Sequence, residues 1–438
     1  MKLYNSYSTK KEEINEKIYK IYNCGPTVYN YVHIGNIRPL ITFDILYRFL
    51  LSQNKKVEYV LNITDVDDKI IDKAIKEKKT EKEISTKYAK AYFDLFKKLN
   101  VLNQSYNPLV SENIKGIEEY IDKLINNGSA YLTKEGDAYF DIGKFKNEYG
   151  KLSKQNIANL LEGVRKENSN DKHNPLDFVL WKKTNIGINW KTKFNNHGRP
   201  GWHTECAYFI NKYFGNNGVT IHGGGIDLKF PHHENELIQN LALTKKPMAK
   251  IWMHVGHINV DNEKMSKSLN NFILAKDILK KYDGNIIRWF FLQTQYENPI
   301  NFSDNLLIQA KNEINKVYKS INYAIIWLEI SNVKYEYTKN KLSFEFIDFM
   351  NDDLNFPNVI SHIYEINKKI SQLLKNKLFK LVVLNLNILI SELKVLGFTY
   401  KFNEKYFKNA KLWKQALEKK DFVAADKIRD ELMKEEII

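Results

Sequence analysis

Cysteine is nearly absent from this sequence: only Cys24 and Cys206 occur among its 438 residues. Two thiols set so far apart exclude a disulfide framework. In a reducing compartment, isolated cysteines more often bind a metal or take part in catalysis than cross-link a fold. The alternative is a pair of inert, buried thiols, and the residues around each cysteine must decide between these readings.

Long apolar segments are also missing. The N-terminal stretch MKLYNSYSTKKEEINEK contains no hydrophobic run of the signal-peptide type. The most apolar later run, residues 378–396, is interrupted by Asn, Ser and Glu side chains and is therefore not expected to cross a bilayer. No fixed-period repeat is present, which excludes solenoids and propellers. We expect a cytoplasmic protein without a membrane partner.

The composition is 43% hydrophobic and 27% charged, which is typical of a soluble globular protein. The length suggests about three domains. Lys and Arg outnumber Asp and Glu by 67 to 52, giving a formal charge of +15, and this excess favours a polyanionic partner such as a nucleic acid. Because the sequence is rich in Lys and Asn throughout, the same excess is compatible with a general compositional bias.

The first part of the chain alternates between strand, turn and helix. Residues 18–22 predict a short apolar strand that ends in Asn-Cys-Gly-Pro, residues 41–51 predict a helix, and residues 57–63 predict a second strand. This alternation is typical of an α/β fold with a doubly wound, Rossmann-like parallel sheet. Ligands of such sheets bind beyond the carboxyl ends of the strands.

Further along, the pattern predicts an insertion and then a helical bundle. An amphipathic helix near 114–126 and a hairpin around 130–140 fall in the insertion. In the bundle, apolar residues recur at helical spacing, first at Phe344, Ile347, Met350 and Leu354. We predict five segments: 1–104 (first half of the sheet domain), 105–200 (insertion), 201–256 (second half), 257–305 (connecting domain) and 306–438 (α-helical bundle).

The first cluster with chemical content is CGPTVYNYVHIGNIRP, residues 24–39. A strand that leads through His33 and Gly35 into a helix places backbone amides and an imidazole at a helix N-terminus, where phosphate binds favourably. Without a Cβ, Gly35 allows an adenine ring to lie close to the backbone. Taken alone, a histidine in this setting is more often a core residue.

The second cluster is DNEKMSKSLNNF, residues 261–272. Lys264 and Lys267 stand three apart in a loop rich in Ser and Asn. Such a loop suits a mobile flap that neutralises charge developing on a triphosphate. In a Lys-rich protein, the alternative is a solvated basic loop.

The third cluster combines GRPGWHTECAYF, which contains Cys206, with IHGGGIDLKFPHHENE. His232 and Glu236 are four residues apart and project from one face of a helix. Together with Cys206 and with Cys24 from the first strand end, they supply four donors for tetrahedral zinc. From spacing alone His233 could replace His232, and a polar helix start without metal is also open.

Zinc at this place has a specific chemical use. Zinc binds thiolates strongly, so a zinc ion open to a ligand would hold a small thiol such as cysteine and reject its hydroxyl counterpart, serine. Selection between two such similar amino acids requires a factor of about 10⁴ to 10⁵, more than a small pocket usually supplies by shape. A metal–sulfur bond provides it without an editing site.

Nine sequence strings now occur in a characteristic order: CGPTVYN, HIGN, NITDVDDKII, DFVLWK, GRPGWHTEC, IHGGGIDLKFPHHENE, KMSKSLNN, NFS and MNDDLN. In this order they resemble the cysteinyl-tRNA synthetases, which are class I aminoacyl-tRNA synthetases, over residues 22–430. The resemblance implies a ligase that uses ATP and Mg²⁺ to convert L-cysteine to cysteinyl adenylate and transfers it to the 3′ end of tRNA(Cys). It also implies one zinc ion per chain, a helical anticodon-side domain and a monomer.

The resemblance assigns roles to individual residues. As catalytic groups it implies His33, Lys264 and Lys267, which also bind ATP together with Gly35 and Asn36. As zinc ligands it implies Cys24, Cys206, His232 and Glu236. Around the cysteine and adenylate pocket it implies Gly25, Thr27, Thr64, Trp202, His222 and Asp227.

The chain departs from its relatives' pattern at two internal positions. Asn36 stands where the class usually has histidine; it keeps a hydrogen-bond donor, and we expect activity to survive because these sites work mainly by positioning and electrostatics. Glu297 stands where the family often has arginine.

Two rival functions are weaker. A tRNA-independent ligase that couples cysteine to an amino sugar needs no helical domain after residue 306. A zinc-containing RNA-binding or regulatory module without catalysis needs no ATP flap. The sequence therefore favours the synthetase.

Overall fold

The computed structural model describes residues 1–156, 172–260, 263–265, 272–339, 342–400 and 405–434. Lys267 lies outside the described residues, and only the backbone of Lys264 is described. The strands are β1 (Lys2–Asn5), β2 (Lys10–Glu13), β3 (Ile18–Asn23), β4 (Lys56–Leu61), β5 (Ala130–Leu132), β6 (Ala138–Phe140), β7 (Phe178–Lys183), β8 (Gly198–Pro200), β9 (Val219–Gly225), β10 (Ala249–Val255), β11 (Ile258–Val260), β12 (Glu263–Lys264) and β13 (Ile300–Phe302). The α-helices are α1 (Ile34–Ser52), α2 (Asp68–Glu77), α3 (Glu81–Lys98), α4 (Ile114–Asn126), α5 (Trp202–Phe214), α6 (Glu234–Thr244), α7 (Ala275–Lys281), α8 (Gly284–Leu292), α9 (Asp304–Ile330), α10 (Phe344–Asn351), α11 (Phe356–Lys375), α12 (Phe379–Val395), α13 (Lys405–Glu418) and α14 (Phe422–Lys434).

A parallel sheet with the order β10-β9-β3-β4 organises the first part of the chain. From β3 the chain crosses to β4 on one side and later returns to β9 and β10 on the other, so the connections diverge between β3 and β9. Neighbouring strand residues face different cores: Ile21 and Tyr59 belong to one hydrophobic cluster, and Tyr22 and Val60 belong to the other. The predicted doubly wound sheet is confirmed, with the ligand crevice expected where the connections diverge.

The helix predicted for residues 41–51 begins earlier than expected, at Ile34. His33 is the N-cap, and Asn36 completes a capping box by accepting the His33 backbone N–H at 3.1 Å. The predicted start was too late because the capping box formed by His33 and Asn36 begins the helix at Ile34, and Pro39 inside the helix removes only one helical hydrogen bond.

The insertion lies between β4 and β9 and forms a second, antiparallel sheet of order β5-β6-β7-β8. The predicted helix and hairpin are confirmed as α4 and as β5 paired with β6. This sheet shares a hydrophobic cluster with α4, α5 and one face of the parallel sheet. The insertion is therefore packed onto the domain that it interrupts.

After β13, the described residues form the helices α9 to α14 and the segments that connect them, as predicted. The prediction that Phe344, Ile347, Met350 and Leu354 form one buried helical stripe was only partly correct. In α10, Ile347 is half-buried and Met350 is buried, but Phe344, which follows the N-cap, is 79% exposed. Leu354 is buried but follows the end of α10, in a left-handed conformation with φ of 50°. Within the described residues, no helix combines the length and the apolar character that crossing a membrane requires.

A fully buried arginine joins the sheet domain to the helical part. The Arg288 guanidinium contacts the Asp44 carboxylate of α1 at 2.5 Å, the Leu99 carbonyl at 2.6 Å and the Leu396 carbonyl at 3.0 Å. The end of α12 is thereby tied to α1, the helix that His33 caps. A single hydrophobic cluster also runs from β3 into α11, so the two parts share one core.

Candidate active site and metal centre

A cavity of about 380 Å³ opens at the carboxyl ends of the parallel strands. The structure brings most of the predicted site residues to its wall. The lining includes Cys24, Gly25, Thr27, His33, Gly35, Asn36, Thr64, Trp202, Cys206, Asp227 and His232.

Two predicted residues lie behind that wall. Glu236 and His222 are fully buried, and the His222 Nε2 atom lies 2.6 Å from the Glu236 Oε2 atom. His222, which was predicted to border the substrate pocket, is a residue of the central strand β9, and its ring faces Glu236.

Four predicted zinc donors converge at the end of β3. Their donor atoms lie within 4.8 Å of one another. The Cys24 Sγ atom is 3.6 Å from both Cys206 Sγ and Glu236 Oε1, and His232 Nε2 is 2.7 Å from Glu236 Oε1. Tetrahedral zinc would separate such donors by about 3.3–3.8 Å. The two sulfur distances match this range, and the closer His232–Glu236 pair is held by a direct hydrogen bond.

A second set of donors shares two members with the first. Cys24, His222, His233 and Glu236 also have donor atoms within 4.8 Å of one another. The His233 Nε2 atom lies 3.3 Å from Cys24 Sγ. The ambiguity between the two neighbouring histidines is therefore present in the structure too. The sets differ in access, because Cys206 and His232 line the cavity, whereas His222 and His233 do not.

The charges of the buried donors favour a cation. Burial alone would raise the pKa of Cys206, but the hydrogen bond from Cys24 and the neighbouring His232 lower it to about 6. Burial also opposes ionisation of Glu236, yet His232 and His222 hold its pKa well below the usual range. Burial and the adjacent Cys206 raise the pKa of Cys24 well above that of a free thiol. Burial opposes protonation of His232, but Glu236 and Cys206 raise its pKa to about 10, so a thiolate and a carboxylate share one buried place with a proton that a zinc ion would replace.

The predicted nucleotide side lies at the start of α1. The Ile34 N–H donates to the Ile273 carbonyl at 2.9 Å, so this amide of the predicted phosphate site is already engaged. A Cβ on Gly35 would lie 2.8 Å from the His33 ring and 3.2 Å from Met265 Cε. The glycine therefore allows the described part of the flap to approach the first turn of α1.

Known protein families match most of this chain. Residues 10–312 match the family described as tRNA synthetases class I (C) catalytic domain, and residues 345–400 match the DALR domain. The cysteine–tRNA ligase of Malacoplasma penetrans strain HF-2 is 46% identical, with 100% of each chain covered. That of Ureaplasma parvum serovar 3 is 48% identical, with 99% of each covered. The chain belongs to the cysteine–tRNA ligase family. The resemblance predicted from the motifs is confirmed.

Solved structures support the same fold. Methionyl-tRNA synthetase of Mycobacterium tuberculosis in complex with methionyl-adenylate aligns with a TM-score of 0.61 over 87% of this chain and 90% of that chain. At 11% identity the likeness shows the fold alone. The family's class I catalytic domain is a ligase domain, and in this member it corresponds to the parallel sheet, the insertion and α7 to the start of α9.

The sequence analysis did not identify two histidines, His203 and His254, that contact the candidate zinc ligands His232 and His233. The His254 Nε2 atom lies 2.8 Å from His233 Nδ1, and the His203 Nδ1 atom lies 3.1 Å from His232 Nδ1. Burial lowers the pKa of both His203 and His254 to about 3, so they orient their partners as neutral rings. His203 could have been found from its place in GWHTEC, whereas His254 is brought there only by the pairing of β10 with β9.

Gly25, a predicted substrate-pocket residue, tolerates no side chain. A Cβ there would lie 1.6 Å from the Asn62 backbone oxygen. We expect Gly25→Ala to lower the free energy of unfolding by about 1–3 kcal/mol, measured by urea titration, because the two strand ends must separate. Gly143→Ala is the control, since its nearest contact is the Asp141 side chain at 3.0 Å. Equal stability of the two variants would contradict the close approach.

Proposed function

We propose that the chain attaches L-cysteine to tRNA(Cys) in two steps. The cysteine carboxylate attacks the α-phosphate of ATP in line, which forms cysteinyl adenylate and releases pyrophosphate. A terminal ribose hydroxyl of the tRNA then attacks the adenylate and AMP leaves. The observation that carries the proposal is a single cavity lined both by the motif at the start of α1 and by three of the four candidate zinc donors.

For zinc we propose the set Cys24, Cys206, His232 and Glu236. Two sulfur donors with one nitrogen and one oxygen suit zinc better than the alternative set, which has a single sulfur. This set also places three donors at the cavity wall, where a substrate thiol arrives. When bound, zinc supplies a Lewis-acid site for the substrate thiolate, which distinguishes cysteine from serine.

The protein orients this set through contacts outside it. The Trp202 ring stacks on His232, with centroids 4.3 Å apart and planes 23° apart. His222 holds Glu236 from behind, and His203 holds the far nitrogen of His232. Such second contacts fix ligand orientation and typically change metal affinity or activity by about 10–100-fold when removed. We assign His222 this orienting role.

On the nucleotide side we propose His33, Gly35, Asn36, Lys264 and Lys267 as the groups that bind ATP, which carries Mg²⁺. His33 and the two lysines would stabilise negative charge that spreads over the phosphates as pyrophosphate leaves. Asn36 uses its side-chain oxygen to accept the His33 N–H, which leaves its amide NH₂ to donate. Thr27, Thr64, Trp202 and Asp227 would contact the cysteine or adenylate.

We propose that the helices of residues 306–438 contact the anticodon side of the tRNA. The net charge of +15 favours this polyanionic partner. From the sequence pattern we also propose the segment limits 1–104, 105–200, 201–256 and 257–305. The family resemblance is the basis for proposing a monomer, and the lack of a signal-peptide run is the basis for proposing a cytoplasmic location.

The direct test is exchange of labelled pyrophosphate into ATP. We expect exchange that depends on cysteine and no exchange above background with serine at equal concentration, because serine lacks the thiolate. Equal exchange with both amino acids would contradict selection by sulfur. Charging of tRNA(Cys) then separates the synthetase from a ligase that couples cysteine to an amino sugar.

A further inference from the structure

A buried carboxyl beside the metal donors has no role in the reaction as described so far. Glu205 lies on α5, one residue before Cys206, and is 1% exposed. Its Oε2 atom accepts a hydrogen bond from the Thr64 hydroxyl at 2.7 Å. Its Oε1 atom is buried and has no hydrogen-bond partner among the described residues. A half-satisfied buried carboxyl costs stability, so stability alone does not explain its presence.

The directions of the hydrogen bonds around Glu205 follow from a backbone amide. The Gly25 N–H is an obligatory donor and lies 3.0 Å from Asn62 Oδ1, which fixes the orientation of the Asn62 amide. Asn62 Nδ2 therefore faces the Thr64 hydroxyl, at 3.3 Å, as a donor. The Thr64 oxygen accepts there, and its single hydrogen is directed to Glu205 Oε2, which accepts whether the carboxyl is ionised or carries a proton on Oε1.

The hydrogen-bonding capacity that Thr64 has left can now be counted. Its backbone N–H donates to the Pro26 carbonyl at 3.2 Å, and its carbonyl accepts from the Val28 N–H at 3.0 Å. Its hydroxyl carries one hydrogen, used on Glu205, and two lone pairs, one of them used by Asn62. Thr64 lines the cavity, and the hydrogen-bonding capacity left in its hydroxyl is that of an acceptor.

We propose that Glu205 is a positioning residue that makes Thr64 an acceptor for the α-ammonium group of the amino acid. An ammonium group only donates hydrogen bonds and a carboxylate only accepts them, so this polarity admits the first and rejects the second. Asn62, which bonds to Thr64, also lies 3.7 Å from Cys206 Sγ, so the acceptor is close to the metal donors. A cysteine held by its sulfur would thus place its ammonium near Thr64 and leave its carboxylate for ATP.

The proposal rests on the proposed function, but its test needs neither ATP nor tRNA. Two analogues each keep one half of cysteine: cysteamine has the thiol and the ammonium, and 3-mercaptopropionate has the thiol and the carboxylate. Both are titrated calorimetrically into the zinc-loaded protein. Glu205→Met, which removes the acceptor for the Thr64 hydrogen, is expected to raise the Kd of cysteamine about tenfold. The Kd of 3-mercaptopropionate is expected to stay within about twofold, because its thiol contact is intact.

Variants of Thr64 separate a hydrogen bond from a general electrostatic effect. Thr64→Val removes the hydroxyl acceptor but keeps the Glu205 carboxyl, and we expect the same selective loss of cysteamine binding. Thr64→Ser keeps the hydroxyl, and we expect it to bind cysteamine as the wild-type protein does. The double variant is expected to lose no more than either single variant, since the two residues act through one contact. If Glu205→Met fails to fold, the Val and Ser pair carries the test.

A matched control is Glu234→Met, which removes an equally buried carboxyl that accepts from the Leu152 and Ser153 backbone N–H groups instead of from Thr64. It is expected to change both Kd values by the same factor. Equal losses of both analogues in Glu205→Met, or unchanged cysteamine binding in Thr64→Val, would overturn the proposal. Failure of the wild-type protein to exchange pyrophosphate would instead contradict the proposed function, while the calorimetric comparison would still stand.

Discussion

Replacing Cys206 with serine is expected to lower bound zinc from about one equivalent per chain to a trace and to abolish cysteine-dependent pyrophosphate exchange. The buried set has two anionic donors, the Cys206 thiolate and the Glu236 carboxylate, and the substitution removes the first of them. Without the metal, the site has no means of treating cysteine differently from serine. The loss of kcat/KM should therefore approach the discrimination factor itself, about 10⁴ to 10⁵.

The measurement pairs metal analysis with the exchange assay. Ala207→Ser is the matched control, because it places the same hydroxymethyl group at the next, equally buried position of α5, outside both sets of donor atoms. This control should keep its zinc and most of its exchange. A Cys206→Ser enzyme that still exchanges at the wild-type rate with cysteine would refute the proposed metal set.

Removal of the Asp44 carboxylate is expected to lower the free energy of unfolding by about 3–5 kcal/mol, because a buried charge then loses its partner. Asp44 is 1% exposed and Arg288 is fully buried. Asp44 also accepts from the Leu102 N–H at 2.8 Å and pairs with Arg48 at 2.9 Å. Asp44→Ala thus leaves two guanidinium groups close together without a counter-charge.

Chemical denaturation followed by circular dichroism measures this effect, and two variants make it specific. Asp352→Ala breaks the ion pair with Lys11, which also links the N-terminal part to the helices but is about half exposed on both sides. It should change stability by no more than about 1 kcal/mol. The double variant Asp44→Leu with Arg288→Met should recover part of the loss, since it removes the fully buried guanidinium together with its partner and leaves only Arg48, whose side chain is 12% exposed, without a counter-charge. A small effect of Asp44→Ala would show that water reaches Arg288.

The sequence predicted the types of the metal donors but left the choice between two histidines open. The expectation assumed a regular helix through His232 and Glu236, yet α6 begins only at Glu234 and the preceding turn contains the extended residue Phe230. Consequently, each of the two histidines has a ring nitrogen within 4.8 Å of the donor atoms of Cys24 and Glu236. The choice rests on which donors line the cavity, a property of the folded chain.

The roles of buried polar residues were less accessible from sequence. Glu205 and Thr64 are 141 positions apart, and nothing in either local pattern indicates that one accepts a hydrogen bond from the other. His222 was placed at the pocket because its motif implies it, but pairing of β9 with β3 turns it toward Glu236. The start of α1 was predicted too late, at residue 41, because the capping box formed by His33 and Asn36 was not recognised from the sequence.

The sequence by itself determined the family, the alternation of strands and helices and the residue types available for zinc and phosphate, because these depend on local motifs and on the periodicity of apolar residues. The tertiary structure decided which donors face the cavity, which polar groups orient them and how Arg288 joins the helices to the sheet domain. Those properties arise where strand ends and helix termini from distant parts of the chain pack together. Packing in a buried, low-dielectric place then fixes each hydrogen bond and each charge.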